Sequence, residues 1–514
     1  MSILNASAIE LLRGNGLPAP GPGVVIDSGG NAGGGGGTTT PTPDIPAGLT
    51  SRTPVSAMRM HQFYGIQGNP TRFDQPYAGN PPKTYAQANI DAWVAKYEAM
   101  GCYWVRARYN DNHKGVQRLV TLLRQKNMKV LWTTVPEGDG ANASLPTGQT
   151  IAQTRTIIQD IAKNAADVTI GIEGLNEPNH NRNGAPVVTD WATNAEYGAV
   201  PHQKAIWEEY EKATTLSHVW VVSPSLQDTN LDKSYTEANP AGGKKHLEQM
   251  VNAGIKDYCH MAGQHSYPGK GNPPLYKYAD RIGKIDTAFG SGFPVWLTEW
   301  GYATAPANTA SGHAVATEEA AALYGPRAIV ELFGNFSGAP ARDLLPNGEH
   351  GLRVSRFEGL DDYDSVKGEP APSDDGPGKD VVEANFGMWR VMASDTSTAL
   401  STYNPDNWSA KPEVAAMKEL FDVIKAPYGT KDYDPEPVGL NITKPAAASD
   451  VRTLLAQTYD GTLLLFYWRN QLIMNTSTKD PINVPAVTFS IEDATGKRNI
   501  TNADGKVRWT EISR

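Results

Sequence analysis

Cysteine is scarce: the chain has two in 514 residues, Cys102 and Cys259. One disulfide at most is available, and a structural zinc centre, which needs grouped Cys and His, is excluded. Both cysteines lie in apolar, strand-like runs, so buried thiols are expected rather than a bridge. Long hydrophobic runs are also missing, and without about 20 consecutive apolar residues there is no ordinary membrane span. Basic residues are outnumbered, 46 Lys+Arg against 55 Asp+Glu, for a formal charge of −9. A nucleic-acid binder needs a basic face for phosphate contacts, so that class loses its support. The sequence has no G-x-S-x-G elbow, H-E-x-x-H pair or P-loop, which removes the main support for serine-esterase, zincin and NTPase readings.

Glycine and proline, by contrast, are abundant, at 50 and 37. The glycine excess is local: the run GGNAGGGGGTTTPTPDIP from Gly29 cannot bury apolar surface and reads as a flexible, then semi-extended linker. Ahead of it, residues 1 to about 23 form a short amphipathic patch around Ile9, Leu11 and Leu12. The start, MSILNASAIELLRG, lacks the basic flank and sustained apolar core of a secretory signal. Removal of a signal, another export route and an internal location all stay open. A tether between an anchor and a larger body, and a disordered tail, are both compatible with residues 1–50.

From Ser56 short β-rich runs alternate with longer helical ones, the pattern of parallel βα units. Strands are expected at 57–65, 103–109, 129–135, 168–175, 219–225, 258–265 and 294–300. Helical periodicity marks 86–100, 115–127, 149–165, 195–215 and 313–333. An eighth unit is placed with its strand at 339–345 and its helix at 411–425. Eight units over about 370 residues predict a closed (β/α)8 TIM barrel, α/β in class. The insert at 356–380 carries eight acids against three bases and matches no EF-hand loop, so it reads as a solvated surface loop. After Pro427, strand-like runs split by Asp-Gly turns predict a small antiparallel β-domain. The expected division is 1–50, 51–427 for the barrel and 428–514 for the β-domain.

Active-site groups of a barrel project from the carboxyl ends of its strands. The fourth strand runs into Asn176-Glu177-Pro178, and the seventh ends in Thr298-Glu299-Trp300-Gly301. Two glutamates at equivalent depth suit glycoside hydrolysis, in which one carboxyl protonates the departing oxygen while the other attacks or orients water. These segments resemble the retaining glycoside hydrolases of clan A, which includes families 5 and 39. The resemblance implies Glu177 as acid/base, protonated at rest, and Glu299 as an ionised nucleophile. It further implies that Asn176 contacts the sugar 2-hydroxyl and that Arg106, in Trp104-Val105-Arg106 on strand two, supports the nucleophile. In Gln264-His265-Ser266-Tyr267 on strand six, His265 lines the cleft and Tyr267 hydrogen-bonds the nucleophile. Phe386-Gly387-Met388-Trp389 and Ala410-Lys411-Pro412 resemble elements before the clan's final helix, so the likeness covers about residues 57–425. Strand eight departs from it, with the acidic insert where an aromatic cleft residue often lies. Trp300, Trp389, Trp132 and Tyr302 are candidate sugar-stacking faces or barrel packing.

The expectation is thus a retaining, endo-acting glycosidase on a polysaccharide, needing no metal or cofactor. Its alternative is a carbohydrate-binding or structural protein on the same barrel. Extracellular or virion-associated action is expected, with residues 1–50 attaching the body to a larger assembly such as a phage tail.

Overall fold

The computed structural model describes residues 45–68, 87–109, 114–134, 151–179, 190–195, 198–226, 246–269, 271–276, 278–304, 315–334, 352–361, 385–391 and 408–514. Eight parallel strands form a nearly closed barrel: β1 (Tyr64–Gln67), β2 (Trp104–Arg108), β3 (Lys129–Thr133), β4 (Thr169–Glu173), β5 (Trp220–Val222), β6 (Ala262–His265), β7 (Val295–Trp300) and β8 (Leu352–Arg356). Their order is 5-4-3-2-1-8-7-6, and a parallel bridge between Val222 and Met261 spans the seam between β5 and β6. The architecture is the (β/α)8 barrel implied by the clan A resemblance.

The helices are α1 (Ala57–Phe63), α2 (Gln87–Met100), α3 (Lys114–Lys126), α4 (Ile151–Asn164), α5 (Ala199–Lys212), α6 (His246–Asn252), α7 (Tyr278–Phe289), α8 (Glu318–Gly334) and α9 (Pro412–Ile424). Their apolar stripes lie against the sheet: α3 buries Val116, Leu119, Val120 and Leu123, the spacing of one helix face. No described helix is long and apolar enough to cross a membrane. Cys102 and Cys259 are buried free thiols, as expected.

Two strand assignments need correction. Residues 57–63 are helical and β1 begins only at Tyr64. The alternation of Met58 and Met60 imitates a strand, but the Ser56 hydroxyl accepts from the Arg59 N–H at 3.2 Å and caps a helical turn. The eighth strand is Leu352–Arg356; the segment 339–345 lies outside the described residues. Its arginines hide it in the sequence. Arg356 is fully buried against Glu413 at 2.8 Å, and Arg353 lays its guanidinium over Trp296 at 5.3 Å. The start of the acidic insert is therefore interior: Glu358 and Asp361 are buried too, and Asp361 pairs with Lys411 at 2.7 Å. Residues 362–384 lie outside the described residues.

Side-chain alternation along β2 sends Trp104 and Arg106 to the same side, two residues apart. They start two layers of the barrel interior. The lower is apolar, with Trp104, Leu131, Trp220, Met261 and Trp296 packed together and the Trp104 and Trp296 rings edge to face at 5.1 Å. Gly65 leaves room for this plug, since a Cβ there would lie 2.2 Å from the Trp104 ring. The upper layer is polar and centred on Arg106.

The C-terminal part is antiparallel, built from β9 (Val451–Gln457), β10 (Leu463–Arg469), β11 (Val487–Asp493), β12 (Gly496–Ala503) and β13 (Arg508–Ile512). An Asp460-Gly461 turn joins β9 to β10, with Gly461 at φ +89°. The short strands Ser51–Arg52 and Val55–Ser56 pair with this part of the chain, through Val438–Gly439 and β9. Residues 51–56 thus join the C-terminal sheets rather than the barrel sheet. The two bodies are fastened where the Trp468 indole N–H donates to the buried Glu331 of α8 at 2.7 Å, while Arg327 donates to the Gln471 carbonyl at 2.8 Å.

Candidate active site

The upper layer leads to a cluster of ionisable groups at the carboxyl ends of β4, β6 and β7. After β4 the chain turns, and Asn176 bridges to Ser225 while the Glu177 N–H donates to the Ser225 carbonyl at 2.8 Å. Glu177 has φ +46°, a left-handed backbone that a side-chain-bearing residue seldom adopts and that clusters at functional sites. On β7, strict alternation would group Leu297 with Glu299 and Thr298 with Trp300. Register irregularities against both neighbours fall at this point, where Gln264–Leu297 is followed by His265–Glu299 and Val354–Leu297 by Arg356–Trp300. Such a bulge re-aims side chains. Glu299 joins the polar cluster, and Trp300 is packed into the core beside Tyr64 and Tyr302.

One oxygen each of Glu177 and Glu299 and a ring nitrogen of His265 lie within 4.8 Å of one another. The surroundings of the two carboxylates differ. Glu299 accepts from Arg106 Nη1 at 2.8 Å on Oε1 and from the Tyr267 hydroxyl at 2.7 Å on Oε2. Glu177 Oε1 lies 2.6 Å from His265 Nδ1, which is also 3.2 Å from Glu299 Oε2. Burial disfavours the His265 imidazolium, but the Glu299 and Glu177 carboxylates outweigh it and hold the ring above the ordinary histidine range. Burial likewise opposes the Arg106 charge, and Glu173 and Glu299 more than offset it, so the guanidinium is more firmly protonated than a free arginine. Asn176 Oδ1 accepts from Arg106 Nη2 at 2.7 Å, which fixes the amide plane and leaves its NH2 group as the donor. Glu177, His265 and Glu299 have the donor set for a cation, but the Arg106 guanidinium bonded to Glu299 already supplies positive charge there.

Six of the eight expected site residues therefore converge: Glu177, Glu299, Asn176, Arg106, His265 and Tyr267. Trp300 and Trp389 do not, because both rings are enclosed. Trp389 packs against Tyr97 at 5.3 Å, and Trp300 is 1% exposed. Trp132 and Tyr302 are interior as well; the Trp132 indole donates to Thr169 Oγ1 and its ring meets Tyr109. A partly exposed aromatic group near the cluster is instead Phe357, just past β8 and 6.2 Å from the Tyr267 ring, with the buried Phe386 at 5.3 Å. Misplacing strand eight concealed it. Two further polar residues were missed, Glu173 and Gln67, both bonded to Arg106. The parity of β4 was their available signal for Glu173, since it follows the interior Gly171 by two.

No family model and no curated protein matches the chain. Among solved structures it is similar to a glycoside hydrolase family 17 beta-1,3-glucanosyltransferase from Rhizomucor miehei, with 12% identity over 64% of this chain and 94% of that one, at a TM-score of 0.38. A beta-D-glucuronidase from Dictyoglomus thermophilum matches with 13% identity, 73% and 53% coverage and a TM-score of 0.41. A β-glucuronidase from Ruminococcus gnavus gives 11%, 73%, 52% and 0.41. The chain spans about half the length of the two glucuronidases. Likeness at this level says nothing about substrate.

Proposed function

We propose that the protein is a retaining O-glycosyl hydrolase that cleaves a polysaccharide at internal linkages. The observation carrying this reading is the approach of Glu177 and Glu299 oxygens within 4.8 Å. A contact that close between oxygens is compatible with the roughly 5–5.5 Å between carboxyl groups in double displacement, and the anomeric configuration of the product separates this from inversion at about 6.5–9.5 Å. The unequal surroundings support the roles. Glu299, held by Arg106 and Tyr267, is the anionic nucleophile; Glu177 shares a proton with His265 Nδ1 at 2.6 Å and carries it to and from the leaving oxygen.

In the first step a Glu299 oxygen forms a bond to the anomeric carbon while the bond from that carbon to the leaving oxygen breaks. The leaving oxygen takes the Glu177 proton. In the second step Glu177 removes a proton from water, the water oxygen attacks the anomeric carbon, and the Glu299 ester bond breaks. In this reading the Asn176 amide donates to a sugar hydroxyl, and the half-buried Phe357 ring contributes an apolar face. Action on an extracellular or envelope glycan, with residues 1–50 attaching the body to a larger assembly, belongs to the same proposal.

Incubation with a polysaccharide panel should release new reducing ends of retained anomeric configuration, read by proton NMR. Glu177→Gln and Glu299→Gln should each lower turnover by about 10²–10⁴-fold with the melting temperature little changed. Inverted product, or a fully active Glu299→Gln protein, would sink the assignment.

A further inference from the structure

Arg106 is saturated. A guanidinium has five N–H donors, and each has an acceptor here. Nε donates to Glu173 Oε2 at 2.6 Å, and Nη2 donates to Glu173 Oε1 at 3.1 Å and Asn176 Oδ1 at 2.7 Å. Nη1 serves Glu299 Oε1 at 2.8 Å and Gln67 Oε1. One cation thus faces two carboxylates. Glu173 is fully enclosed and cannot touch a substrate; its Oε1 also accepts from the Ser225 hydroxyl, which lies 2.6 Å from Thr298 Oγ1.

This arrangement has more negative charge than the resting pair of Arg106 and Glu299 requires. The excess becomes useful during turnover. When Glu299 bonds the anomeric carbon, the glycosidic bond breaks and the leaving oxygen takes the Glu177 proton, so Glu299 becomes a neutral ester. A buried guanidinium left with that ester alone would be unpaired, which is strongly unfavourable. We propose that Glu173 is a positioning residue that keeps Arg106 charge-balanced while Glu299 is esterified and that moderates the field of Arg106 at the free nucleophile. The proposal rests on the glycosidase reading above.

Its test compares full-length wild type with Glu173→Gln, Gln67→Glu and the double variant, using 4-nitrophenyl glycosides the wild type cleaves. Melting temperatures and pH profiles of kcat/KM are measured together. Glu173→Gln removes a negative charge that faces Glu299 through Arg106. The acid limb of the profile should move to lower pH by about one unit, and kcat should fall by about 100-fold. Gln67→Glu adds a charge on the opposite arm of the same fork, so its limb should move to higher pH. The double variant should return the limb to within about 0.3 unit of wild type. A role confined to stability would alter melting temperature and leave the limb in place, and that result overturns the proposal. Should Glu173→Gln not fold, the double variant is compared with Gln67→Glu, and coincident acid limbs overturn the proposal. Failure of the wild type to cleave any glycoside, or full activity of Glu299→Gln, would instead overturn the glycosidase reading itself.

Discussion

Tyr267 shows how much can hang on one hydroxyl. Its O–H donates to Glu299 Oε2 at 2.7 Å, while its ring is packed against Phe386 at 5.3 Å, so the oxygen is held by the aromatic contact rather than by solvent. Tyr267→Phe keeps that packing and deletes one hydrogen bond to a charged acceptor, a loss of roughly 1.5–3 kcal/mol. We expect kcat to fall about 10- to 100-fold with melting temperature within a degree or two; an unchanged kcat would show that the hydroxyl does not act on the nucleophile. The expected site residues that the fold brings together, Glu177, Glu299, Arg106, His265, Tyr267 and Asn176, sit in short motifs on the barrel strands or just past them. Glu173 and Gln67 escaped because their importance lies in a partner remote in the chain, the Arg106 guanidinium. Phe357 escaped because its strand did.

At the scale of elements, periodicity located most strands and helices of the barrel, and failed where charge or length broke the pattern. The strand Leu352–Arg356 contains two arginines whose burial depends on Glu413, Trp296 and the Gln62 carbonyl, none of which is local. The irregularity on β7 is invisible in a single sequence, and it decides that Glu299 rather than Trp300 meets the cluster. Two glycines make opposite predictions. A Cβ on Gly263 of β6 would lie 2.4 Å from the Ser223 carbonyl oxygen and 2.5 Å from Ser225 Oγ. Gly263→Ala should therefore cost about 1–3 kcal/mol, since backbone must shift. Gly283 in α7 has nothing within 4 Å of the added carbon and no left-handed φ. Gly283→Ala should stabilise by about 0.5–1 kcal/mol through helix propensity. Urea unfolding of the two variants checks both signs.

For the whole molecule, three enclosed histidines set a lower bound on useful pH. Burial lowers His61, His202 and His260 from 6.5 to about 4. Above pH 6.5 the rings are neutral whether the chain is folded or not. As pH falls from 6.5 toward 4 the unfolded chain takes up protons that the folded one refuses, so stability declines through this window by up to roughly 3 kcal/mol per ring. Unfolding free energies measured between pH 4 and 7 should show the decline; a flat profile would mean the rings are not shielded. The C-terminal sheets were legible from their Asp-Gly turns, but their union with residues 51–56 was not, because pairing between distant segments leaves no mark in either one. That union constrains the order in which the chain is completed. Thr50 and Asn441 are hydrogen-bonded although 391 positions apart, and Val55 pairs with Ala456. During synthesis the early strands leave the ribosome long before their partners exist. They must wait, unpaired, until the 391 positions from Thr50 to Asn441 have been synthesised, so a product stalled before then carries open strand edges and is the species most exposed to aggregation.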